Sequence, residues 1–130
     1  MPTILLAEDQ AITREPLRRL LTMEGYTVLP AACGTEALTL LIDGARPDVI
    51  ILDLVLPRLS GVDLLETLHE HPVWRTIPVV VLTGSMSRSQ LDRARELKVN
   101  AVMQKAKFEV NELLFELREA LNSHRERVPM

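Results

Sequence analysis

The sequence has a single cysteine, no basic cluster and no long apolar run, and each scarcity removes a class of protein. Cys33 cannot form an internal disulfide, so the fold has no covalent staple and a reducing setting is expected. With no second cysteine or base beside it, Cys33 reads as a small buried hydrophobe. No apolar stretch reaches the roughly 18 residues that a bilayer span requires, and the N-terminus lacks the basic, apolar and small-residue regions of a secretory signal. A cytoplasmic location is expected. The formal net charge is -3, from 15 basic side chains scattered among 18 acidic ones. No basic face is left for a phosphate backbone, so neither direct nucleic-acid binding nor a membrane role is expected.

What is present suits one globular domain. The 130 residues are 47% hydrophobic and 25% charged, enough for a real core and too few for a second domain. The most telling stretch is Val49-Ile50-Ile51-Leu52-Asp53-Leu54-Val55-Leu56-Pro57. Aliphatic residues without polar alternation mark a strand covered on both faces, as in a parallel sheet. Asp53 interrupts that run. A buried carboxylate needs partners or gives up its charge, so Asp53 is either satisfied structurally by backbone N–H groups or part of a site.

The rest of the chain alternates. Thr3–Ala7 reads as a strand ending in Glu8-Asp9, and a helix follows with Leu17, Leu20 and Leu21 on one face. Pro16 is tolerable only in a first turn, which places the start of that helix near Thr13. A strand from Tyr26 to Pro30 leads to a helix opened by Gly34-Thr35, with Ala37, Leu38, Leu41 and Ile42 facing inward. After the central strand comes a helix carrying Val62, Leu64, Leu65 and Leu68, ended by His69, His71 and Pro72. The two histidines point to different sides and read as solvated side chains. Trp74, in the next loop, reads as packing. Ile77–Leu82 is a fourth strand running into Thr83-Gly84-Ser85, and Ser87-Arg88-Ser89-Gln90 matches a capping box for a helix with a narrow stripe of Leu91, Ala94 and Leu97. Ala101–Gln104 is a fifth strand that delivers Lys105. The last helix buries Val110, Leu113, Leu114, Leu117 and Leu121.

Repeated strand-helix pairs with short connections predict an α/β fold: a doubly wound, five-stranded parallel sheet with five helices on both faces. Ligands of such sheets bind beyond the carboxyl ends of the strands, where the strand order reverses. Glu8, Asp9, Asp53, Thr83 and Lys105 all fall at those ends. Carboxylates this close repel by about 4 kcal/mol per pair at 4 Å and an effective dielectric near 20. A cation must balance them; lysine supplies one charge, and Mg²⁺ suits a site of one or two carboxylates that keeps several waters.

In these features the chain resembles the receiver domains of two-component response regulators, including the chemotaxis response regulator. The resemblance rests on Glu8-Asp9 after the first strand, Asp53 with Pro57 and Gly61 beyond it, Thr83-Gly84 after the fourth strand and Lys105 after the fifth. It covers residues 3–122, with 123–130 as a helix end or the start of a linker, and implies a flavodoxin-like strand order of 2-1-3-4-5. It also implies roles. Asp53 would accept a phosphoryl group from a sensor histidine kinase or a histidine phosphotransfer protein. Asp9 and Asp53, Glu8 through water, and the backbone carbonyl of Val55 would hold Mg²⁺; Lys105, Thr83 and the backbone of Gly84 would meet the phosphoryl oxygens. Such a domain is a binding module whose chemistry is directed at itself, not a turnover enzyme, and its downstream protein target is not written in the sequence.

Two positions depart from the family pattern: Val102, where an aromatic usually reports the switch, and Ala106, where proline usually follows the lysine. The switch is therefore expected in Thr83, Gly84 and the weakly anchored helix from Ser87 to Lys98. Two rival readings are a Mg²⁺-dependent phosphohydrolase with an aspartate nucleophile, disfavoured because Val55 stands where its acid/base would be, and a degenerate receiver that binds partners without phosphorylation. Phe115, with Leu91 or Phe108, marks a possible homodimer surface through the last helices. The chain reads either as a stand-alone regulator or as a receiver taken from a longer protein.

Overall fold

The computed structural model describes residues 1–85 and 87–127, the last four of these by backbone alone. Five parallel strands, β1 (Thr3–Ala7), β2 (Thr27–Ala31), β3 (Val49–Leu52), β4 (Val79–Thr83) and β5 (Ala101–Gln104), form one sheet in the order β2-β1-β3-β4-β5. The helices are α1 (Ala11–Met23), α2 (Gly34–Ile42), α3 (Gly61–Glu70), α4 (Arg88–Glu96) and α5 (Val110–Arg127). A short 3₁₀ turn, Trp74–Thr76, precedes β4. Expected fold class and strand order are both observed.

The uninterrupted apolar strands divide by alternation between two cores. Leu5, Ala7, Ile50, Leu52, Val79 and Val81 point to one face, where they pack with residues of α2, α3 and α4. Ile4, Leu6, Val49, Ile51, Val80 and Leu82 point to the other, against α1 and α5. With both faces buried, neither set of side chains can be polar. This leaves the strand ends as the places where polar residues enter. β2 is an edge strand, which accommodates Pro30 without breaking an internal ladder.

Several local expectations are corrected. α1 begins at Ala11, because the Gln10 carbonyl already accepts from Thr13 and Arg14 at 3.0 and 2.8 Å. Pro16 thus falls in the second turn. The carbonyl it deprives belongs to Ile12, and both residues sit on the exposed side of the helix, where water can substitute. Ile42 and Val110 were expected inside, but each stands at a helix end where the apolar stripe has turned outward, and they are 65% and 41% exposed. His71 is more than a solvated side chain. Its Nδ1 accepts from the backbone N–H groups of Val73 and Trp74, and its ring stacks on buried Trp74 at 3.8 Å. Helix α5 runs through Arg127, so 123–127 continue the helix, while 128–130 lie outside the described residues.

Two glycines set how closely the loops at the strand ends approach one another. A Cβ on Gly61 would lie 2.2 Å from the carbonyl oxygen of Asp53, and one on Gly34 would lie 1.9 Å from the carbonyl oxygen of Leu59. The β3–α3 loop also holds two residues in the left-handed region: Arg58 and Leu59 adopt φ of 54° and 104°. Non-glycine residues rarely enter that region, at a cost of order 1–3 kcal/mol each.

Candidate functional site

The ladders carry one hydrogen bond past the last strand residues, fixing where the polar groups emerge. Glu8 N–H donates to the Ala31 carbonyl at 3.0 Å, Asp53 N–H to Ala7 at 3.1 Å, and Lys105 N–H to Thr83 at 3.0 Å. Glu8, Asp53, Thr83 and Lys105 are therefore held by backbone at neighbouring strand ends. They surround the point where the chain leaves β1 for β2 on one side and β3 on the other.

The side chains converge on Asp53. Its Oδ1 accepts from the Thr83 hydroxyl at 2.7 Å and from the Val55 N–H at 3.1 Å; its Oδ2 pairs with Lys105 Nζ at 2.7 Å. Lys105 also pairs with Glu8, whose other oxygen accepts from Gln10 N–H at 3.2 Å. Asp53 is only 3% exposed and Thr83 is fully buried, yet no buried side-chain nitrogen or oxygen among the described residues lacks a partner. Three donors fix both carboxylate oxygens, so the group is presented in one orientation.

Charge remains unbalanced. One lysine faces three carboxylates, since oxygens of Glu8, Asp9 and Asp53 lie within 4.8 Å of one another. Adjacent ligands of an octahedral Mg²⁺ lie about 3 Å apart and opposite ones about 4.2 Å, so closure of the cluster or intervening waters would let all three serve one ion. Burial raises the Glu8 carboxyl above its ordinary value, with Lys105 and the Gln10 N–H opposing the shift. Burial disfavours the Lys105 charge, but its bonds to Asp53 and Glu8 outweigh this and raise its value.

The sign for Glu8 follows from linkage. A raised folded pKa means that the folded protein holds the proton more tightly, so this stabilisation is full below the unfolded value of about 4.5 and is lost as pH rises through the folded value. In urea unfolding from pH 7 down to 4.5, the stability of the parent should accordingly rise relative to Glu8→Gln. A constant difference would show that Glu8 titrates normally.

An open crevice beside this network is lined by Asp9, Gln10, Asp53, Val55, Gly84 and Lys105. The structure thus brings together Glu8, Asp9, Asp53, Thr83 and Lys105, with Val55 and Gly84 at the rim. Two contributors escaped the sequence reading. Arg14 Nη1 donates to the carbonyls of Glu8 and Asp9 at 2.7 and 3.1 Å, pinning the acidic loop from the first turns of α1. Ser85, 7% exposed, donates its N–H to the Thr83 hydroxyl oxygen at 3.0 Å. A basic residue one helical turn beyond the acidic pair was the available signal for Arg14; Ser85 had none beyond its position in the loop.

Comparison with known proteins accords with this geometry. The family model of the response regulator receiver domain matches residues 4–118. The chain belongs to that family. The receiver domain is 31% identical over 123 residues to the transcriptional regulatory protein PdtaR of Mycobacterium tuberculosis, covering 95% of this chain and 58% of that one. It is 36% identical over 118 residues to the response regulator MprA of Mycobacterium ulcerans, covering 91% and 49%. It therefore spans about half the length of these curated relatives. Among solved structures, it superimposes with a TM-score of 0.86 and 29% identity on the receiver domain of a signal transduction histidine kinase from Syntrophus aciditrophicus, covering 99% and 96% of the two chains. The receiver domain of an HD domain-containing protein from Pseudomonas fluorescens gives 0.88 and 29%, covering 97% and 98%. No helix among the described residues is long and apolar enough to cross a membrane.

Proposed function

We propose that this receiver domain accepts a phosphoryl group on Asp53 in a Mg²⁺-dependent transfer from a phosphohistidine of a sensor kinase or phosphotransfer protein, and thereby changes its affinity for a protein partner. The observation that carries the reading is the Asp53 carboxylate, buried and held by Thr83, Lys105 and the Val55 N–H beside an acidic cluster. An oxygen of Asp53 attacks phosphorus as the donor's P–N bond breaks, and the imidazole leaves with the electron pair and takes a proton. Lys105 moves its charge onto the transferred oxygens, while Thr83 redirects its hydroxyl to one of them. Bound by Glu8, Asp9, Asp53 and the Val55 carbonyl, Mg²⁺ would supply electrostatic neutralisation of those oxygens. Gly84, at the rim, offers its backbone to the same oxygens.

Val55 is 54% exposed at the crevice and carries no acid or base, which fits acceptance of one group rather than turnover. The test is the intact mass after incubation with acetyl phosphate. One added phosphoryl group is expected with Mg²⁺ and none with chelator, and the adduct should survive acid and be lost in alkali. Steady release of phosphate from phosphomonoesters, many equivalents per chain, would favour a hydrolase instead. Mass is a better readout than Trp74 fluorescence, because Trp74 lies before β4, at the end of the sheet opposite the crevice.

A further inference from the structure

Hydrogen bonds continue from the Asp53 network into α4, and they pass through side chains that the phosphoryl chemistry does not use. Thr83 Oγ1 donates to Asp53 and accepts from Ser85 N–H. The Ser85 hydroxyl donates to the side-chain oxygen of Gln90, in the first turn of α4, and accepts from Ser87 N–H at 3.2 Å. Ser87 caps the helix by accepting from Gln90 N–H. In the expected capping box, Gln90 would reach back to the Ser87 N–H. Instead Ser85 takes that donor, and Gln90 is left to bind the loop.

Little else anchors α4. Ala94 is its only fully buried residue, and Leu91 and Leu97 are half-buried. The Arg93–Glu66 pair that ties it to α3 is about two-fifths exposed on both sides, a setting in which ion pairs contribute little. Val102, half-buried on β5 against the same core, is branched at Cβ and has little rotameric freedom to signal with.

We propose that Gln90 is the residue through which phosphorylation of Asp53 is felt in α4, with the Ser85–Gln90 hydrogen bond as the link. This rests on the phosphoacceptor reading above. When the Thr83 hydroxyl turns to a phosphoryl oxygen, Ser85 N–H follows the atom it donates to. The buried Ser85 hydroxyl then draws the first turn of α4 along, or releases it. Either outcome changes how well the α4 amides are protected.

The experiment measures hydrogen exchange of α4 amides with and without acetyl phosphate and Mg²⁺, with mass reporting the phosphoryl group in parallel. In the parent, phosphorylation should alter exchange across Arg88–Glu96. In Gln90→Leu the phosphoryl group should still be taken up, but the exchange response should shrink by about fivefold, roughly what one hydrogen bond is worth in an equilibrium constant. Gln90→Glu keeps an acceptor for Ser85 and should restore the response. Ser85→Ala should show the loss seen in Gln90→Leu, and the double variant should lose no more than either. An undiminished response in Gln90→Leu, a failure of Gln90→Glu to restore it, or additive losses would each overturn the link while leaving phosphorylation intact. Absence of the phosphoryl group in the parent would overturn the reading beneath it.

Discussion

Asp53→Asn should take up no phosphoryl group under conditions where the parent takes up one, and it should do so as a folded protein. The amide oxygen still accepts from Thr83 and from the Val55 N–H, so the two neutral hydrogen bonds that orient position 53 survive. What disappears is the anionic nucleophile and the ion pair with Lys105 at 2.7 Å. Two electrostatic effects oppose each other. Losing a buried partner is costly, and the new amide nitrogen, a donor, turns Lys105 towards Glu8, but the variant also escapes repulsion of about 4 kcal/mol per carboxylate pair at 4 Å and an effective dielectric near 20. These nearly cancel, so urea unfolding should find the variant within about 1 kcal/mol of the parent. Intact mass and unfolding together make the outcome decisive: residual labelling at another residue would remove Asp53 from its assigned role, and a collapse in stability would make it a structural carboxylate.

A second large effect is expected from backbone sterics alone. Gly61→Ala places a Cβ 2.2 Å from the Asp53 carbonyl oxygen and 2.5 Å from the Leu54 Cα, and both obstacles are backbone. No side chain can swing away to relieve the overlap. The β3–α3 loop must move, and stability should fall by about 3 kcal/mol, the upper range for overpacking a tight site. Because the displaced carbonyl belongs to Asp53, the rate of phosphoryl uptake should fall as well. Gly84→Ala provides the contrast. Its nearest new neighbour is Lys105 Cδ at 3.9 Å, an ordinary contact, so stability should change by no more than about 0.5 kcal/mol. Equal losses in the two variants would refute the steric account.

The strands were legible because a sheet buried on both faces excludes polar residues from its interior, so runs such as Ile77–Leu82 and Val49–Leu52 announce themselves. The same exclusion made the site's members visible: Glu8 and Asp53 follow directly on their apolar runs, Thr83 ends β4, and Lys105 follows Gln104 at the end of β5. What stayed hidden has no period. The start of α1 is set by the Gln10 carbonyl, with no side-chain cap to mark it. His71 and Ser85 act by folding back on neighbouring backbone, and such bonds depend on turn geometry. Ile42 and Val110 misled because helical periodicity defines a face and not the point where the helix runs off the core. Of the three residues expected at a partner surface, only Phe115 is exposed, at 51%, while Leu91 and Phe108 pack against the two cores.

The contact between Gly34 and the Leu59 carbonyl has a consequence for how the crevice can change shape. One wall of the crevice is the β3–α3 loop, wedged against the start of α2 and held in a strained backbone conformation. The opposite wall, the connection from β4 to α4, is tied by the hydrogen bonds of Ser85 and Ser87, and α4 beyond it buries only Ala94 fully. A rearrangement at Asp53 should therefore be one-sided, with the β3–α3 loop as the reference and the displacement delivered to the surface that α4 presents to solvent.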